Sequence, residues 1–135
     1  MTRLPDWEPR LAAYIESVRD SEFAWGKHDC ALHSANAVLA VTGDDIATKF
    51  RGKYSTARGS LRALKRYGAG TLKSTIDDAL PIITPAFAQR GDLVWRHGMV
   101  GVCLGADAAF VGEIDAVPGL VRFPRRDWTR AWAVR

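Results

Sequence analysis

"FAWGKHDCALHSANAVLAVTG", Phe23 to Gly43, is the stretch that decides how this chain folds. From Cys30 to Thr42 the residues are small and apolar nearly all round, a pattern that a helix tolerates only when neighbours cover most of its sides. Asp29 stands where an N-cap acceptor belongs. Gly43 follows the last apolar turn and is the residue type that most readily takes a left-handed C-terminal cap. The stretch predicts a buried central helix over 30–42 with Cys30 in its first turn. A cysteine so placed can be a small packing residue, a metal ligand or a nucleophile.

On the N-terminal side, Trp7, Leu11, Tyr14, Ile15 and Val18 recur at three- and four-residue spacing and predict an amphipathic helix ending near Asp20. On the C-terminal side, "ARGSLRALKRYGAG" reads as a surface helix stopped by glycines, and "TLKSTIDDAL" as a shorter helical piece; together they form a cover and not a core. After Pro81 the character changes. "GDLVW", "MVGVCLG", "AAFVGEI", "LVRF" and "RAWAVR" are short runs rich in Val, Phe and Trp, broken by Gly, Pro and Asp, as in an antiparallel sheet. Helices first and strands last argue for one α+β domain over 1–135, with the buried helix on one face of the sheet. At 135 residues and 47% apolar, the chain can fill a single core.

The balance of 19 Lys and Arg against 15 Asp and Glu gives +4. Much of the excess is read at Arg122, Arg125, Arg126, Arg130 and Arg135. Without aromatic-interleaved binding motifs, this basic end reads as a solvated rim or a docking surface for an acidic partner, and nucleic acid is not the expected ligand. No apolar run is long enough to cross a bilayer, and the start lacks the apolar stretch of a secretion signal, so no membrane partner is expected and both cysteines, 30 and 103, are read as reduced thiols.

Short motifs carry a resemblance. "WGKHDCALHSA", then "RGDLVW" and "VGVCLG", are similar in order and spacing to the NlpC-type cell-wall endopeptidases, a branch of the papain-fold cysteine peptidases, while "WGKHDC", "RGKY" at Arg51 to Tyr54 and "QRGD" at Gln89 to Asp92 resemble more closely still small phage- or prophage-encoded domains. The resemblance implies a papain-like NlpC-type fold and, for function, a tail-associated thiol hydrolase cutting a peptide amide of bacterial peptidoglycan. It would reside in the virion tail, or in the host cytoplasm before assembly. The alternative is a domain of the same fold that has lost catalysis and serves as a docking component among phage tail proteins. The family's catalytic His position falls on Met99 and its third polar position near Val111, both apolar here.

A displaced site can be built from nearby residues. If the hairpin turning at Gly105 pairs Met99 with Val111, the same register sets His97 opposite Glu113, two residues along and on the same strand face. Cys30 would then be the nucleophile, His97 the base and acid, and Glu113 the residue orienting His97. A two-residue turn would remove this register. His28 is the rival base; Trp25, Gly26, His28 and Asp29 would line the cleft. His33 reads as a hydrogen-bonded core or rim residue, Cys103 as structural, Asp29 as the helix cap and Asp92 as a turn residue. "HDCALH" has the look of a metal cluster, but no second ligand pair follows at zinc spacing, so no metal or cofactor is expected.

Overall fold

A computed structural model describes residues 1–135. Four helices, α1 (Trp7–Val18), α2 (Cys30–Thr42), α3 (Ala57–Tyr67) and α4 (Leu72–Ala79), precede six strands: β1 (Ile82–Ile83), β2 (Leu93–Arg96), β3 (Met99–Cys103), β4 (Asp107–Ile114), β5 (Val117–Pro124) and β6 (Arg130–Trp132). The strands form one sheet in the order β1-β6-β2-β3-β4-β5, every neighbouring pair antiparallel. The α+β class and the helices-then-strands order are as expected. Short β1 was not anticipated, and β5 is longer than the "LVRF" run because its whole length pairs with β4. No helix is long and apolar enough to cross a membrane.

α2 forms where the caps place it. The Asp29 carboxylate accepts from the Leu32 N–H at 2.9 Å, and Gly43 closes the other end at φ +80° with its N–H on the Leu39 carbonyl. Ala37, Val38 and Val41 are fully buried against Leu11 of α1, Ile76 and Leu80 around α4, and Leu93, Val100, Val102 and Trp132 of the sheet. Each such valine or leucine contributes about 1.5–3 kcal/mol on burial, so the helix is held by packing far more than by its own propensity.

Strand alternation sorts the sheet into two faces. Leu93, Val100, Val102 and Trp132 face α2, while Val94, Cys103, Ala108, Phe110, Trp128 and Ala131 build a second core on the far side. Phe110 lies flat over Gly101, where a Cβ would come within 2.7 Å of the ring. Met99 packs with this far core. The face that Met99, Gly101 and Cys103 share therefore points away from α2.

Asp92 is more than a turn residue. Its fully buried carboxylate accepts from the Gln89 and Val134 N–H groups at 2.8 and 2.9 Å and pairs with Arg3 at 3.0 Å and Arg135 at 3.1 Å. It ties both ends of the chain to the start of β2.

Candidate active site

The Met99–Val111 register expected to set His97 opposite Glu113 does not form. β3 and β4 are joined by a two-residue turn, with the Leu104 N–H on the Asp107 carbonyl at 2.9 Å, and pair Val102 with Ala109 and Cys103 with Ala108. That is one residue off the Met99–Val111 register, and the paired ladder ends at Ala109. His97 sits with Gly98 in the turn between β2 and β3, at φ +46° and +77°, exposed. This is the positive-φ pair that a tight two-residue hairpin demands. Glu113 pairs with Pro118 near the tip of the β4–β5 hairpin, also exposed.

Of the other two histidines, His33 has both ring nitrogens engaged and His28 does not. His33 is fully buried, its Nε2 3.2 Å from the Ala109 carbonyl and its Nδ1 2.8 Å from the Tyr14 hydroxyl. A carbonyl can only accept, so Nε2 carries the proton and Nδ1 accepts from Tyr14. The one lone pair that could serve as a base is occupied. Burial pushes the His33 pKa down to about 4, so the ring is neutral near pH 7. His28 closes a tight turn, its backbone bonded twice to Ala24, and its ring meets His33 edge-on at 5.7 Å. Burial lowers its pKa too, and its Nε2 is buried without a partner.

Cys30 is half-buried at the mouth of an apolar groove of about 420 Å³ between α2, the cover formed by α3 and α4, and β2. Leu61 and Leu64 of α3, Leu72 and Ile76 of α4, Trp95 of β2 and Trp25 wall it. None of the three histidines lines it. Burial raises the Cys30 thiol pKa; the backbone groups of Val100, Ala31 and Cys30 itself, acting as N–H donors to the sulfur, oppose that rise, and the Asp29 charge adds to it. The N-terminal field of α2 is present, yet desolvation outweighs it. Cys103, the second thiol, is buried under Arg125 with its pKa also raised, first by burial.

A model of the domain of unknown function DUF6950 matches residues 2–134. The chain belongs to the DUF6950 family. No curated protein and no solved structure matches it.

In this DUF6950 chain two of the quoted motifs, "WGKHDC" and "RGKY", meet as a joint between α2 and the segment leading into its cover. Besides capping α2, Asp29 accepts from the Gly26 N–H at 3.0 Å and the Tyr54 hydroxyl at 2.6 Å. Gly26 lies against the Tyr54 carbonyl, where a Cβ would stand 2.1 Å away, and its φ is +80°. Only glycine fits that contact. Arg51 bonds Asn36 of α2 at 2.8 Å and Asp45 at 2.8 Å. Trp25 and Asp29 line the groove as expected, whereas Gly26 and His28 do not. Two residues escaped the sequence reading. Tyr54 carries the joint, and Ser34, one turn after Cys30, lines the groove with a buried Oγ that has no partner. Their signals were the recurrence of "RGKY" beside "WGKHDC", and the i, i+4 spacing from Cys30.

Proposed function

We propose that this protein is a docking domain of papain-like, NlpC-type fold that lacks a hydrolytic step and uses the groove beside Cys30 to hold a segment of another polypeptide. The observation that carries this reading is the absence of every imidazole from the groove that contains the only candidate nucleophile. A thiol whose pKa is raised, with no imidazole lining its groove, is a poor nucleophile near neutrality. The apolar walls, by contrast, suit large apolar side chains. The resemblance supplies the setting: a component of a phage tail assembly, with neighbouring tail proteins as partners.

One observation favours the hydrolase reading, cleavage of a peptidoglycan peptide amide: the backbone donors aimed at the Cys30 sulfur, which could also hold an oxyanion. Iodoacetamide labelling at neutral pH, together with peptidoglycan turnover by the wild type and Cys30→Ala, separates the two. The docking reading expects equal, slow labelling of Cys30 and Cys103 and no turnover. Fast, selective labelling of Cys30 with turnover abolished by Cys30→Ala would overturn it.

A further inference from the structure

The groove has a strongly one-signed border. Residues 49–73 contain eight of the 19 Lys and Arg and not one of the 15 Asp and Glu. Without that segment, 11 Lys and Arg face 15 Asp and Glu, so the rest of the molecule carries a net −4 while this segment carries +8. Of the eight, only Arg51 has a carboxylate partner. Lys53 and Arg66 lie over the Tyr67 ring, and Lys73 lies over Trp95 at the groove wall. Arg58, Arg62 and Lys65 are exposed with no protein partner.

Their placement on α3 is specific. At about 100° per residue, Lys65 and Arg58 lie roughly 40° and 60° round the helix from Leu61, and Arg62 roughly 100°. Leu61 lines the groove yet is 59% exposed, so it forms the lip at which the apolar wall turns into the cationic face. Trp25, which also lines the groove, meets Phe23 edge-on at 4.8 Å, the two 41% and 44% exposed. Inside, the Ser34 Oγ is buried without a partner.

We infer that the groove takes an acidic amphipathic polypeptide segment: large apolar side chains between α3 and α2, a main-chain polar group on the Ser34 hydroxyl, and carboxylates along Arg58, Arg62 and Lys65. This rests on the docking reading and names the partner's chemistry. A small acid with one carboxylate would meet only a fraction of a cationic face that runs the length of α3, about 16 Å for 11 residues, and would leave Phe23 and Leu61 wet. Nucleic acid would match the charge but leave the apolar groove unfilled.

The test is selection of a displayed random-peptide library on the intact protein, followed by affinity measurement of the recovered peptides by calorimetry. Expected are peptides with Asp or Glu flanking Leu, Phe or Trp. Their affinity should fall roughly tenfold in Arg58→Glu/Arg62→Glu/Lys65→Glu and about tenfold between about 30 and 300 mM salt. Leu61→Ser should weaken them several-fold. All four positions are exposed, and circular dichroism verifies that the variants fold. Recovery of neutral or basic peptides that the triple variant binds equally well would overturn the acidic partner and leave docking standing. Enrichment no better than on bare support would overturn both. Salt-sensitive binding of a DNA oligonucleotide or of anionic phospholipid vesicles, with no peptide enriched, would assign the surface to another class of partner and overturn the proposal.

Discussion

Two arginine-rich segments of this chain look alike in sequence and do opposite things in the fold. Of the five arginines between 122 and 135, Arg122 pairs with Asp107, Arg130 with Asp77 and Arg135 with Asp92. Arg125 stacks on Trp128 and donates to the Pro85, Ala88 and Gly105 carbonyls at 2.9, 3.0 and 2.6 Å. Only Arg126 has no such partner, so the basic end expected to dock neighbours is mostly fastened to its own sheet. The cationic segment between 49 and 73 is the free one. A guanidinium surrounded by fixed carbonyls and carboxylates is part of the scaffold; the same group facing water is available to a ligand.

The largest test of that contrast is at the buried end. Asp92→Ala removes the carboxylate that pairs with two arginines and accepts from two backbone N–H groups, leaving Arg3 and Arg135 without their counter-charge, and should cost about 3–5 kcal/mol in denaturant unfolding. Next is acid. His33 is neutral in the fold with its pKa at about 4, while in the unfolded chain it protonates near 6.5. The stability it contributes is therefore fully present above about pH 6.5 and drains away as pH falls towards 4, by roughly 3 kcal/mol. His28, shifted in the same direction, adds to the slope. His33→Gln should flatten the pH dependence of the denaturation midpoint if the imidazole is the cause. Arg125→Ala should cost about 2–3 kcal/mol, because it strands three carbonyls. Arg58→Ala and Arg62→Ala should each change stability by no more than about 0.5 kcal/mol. Equal losses at Arg125 and Arg58 would erase the distinction between the two segments.

The same contrast explains what could be read in the sequence. The caps at Asp29 and Gly43, the apolar filling between them and the Val-rich runs after Pro81 are local signals, and each gave its element correctly. The site depended on something non-local. Whether the chain turns on two or three residues between Cys103 and Ala108 is undetermined by "CLGADA", since Gly105 suits either, yet that one residue sets whether His97 and Glu113 can meet. The strand face was a second unknown. Alternation says that Met99, Gly101 and Cys103 look the same way, but it does not say which way, and Phe110 lying on Gly101 shows that they look away from α2. Charge was legible as a count and misleading as a location. Arginines near the end draw the eye, while the absence of any acid from Lys49 to Lys73 is the stronger signal and lies in plain composition.

The clamp at Asp92 has a use beyond stability. Because one carboxylate gathers Arg3, the Val134 amide and Arg135, the two ends of the chain lie side by side, and none of these residues lines the groove. The unit could be spliced into a loop of a host polypeptide, or its termini joined by a short bridge and the ring reopened in an exposed connection away from the groove such as Asp115–Ala116, with the groove carried along intact.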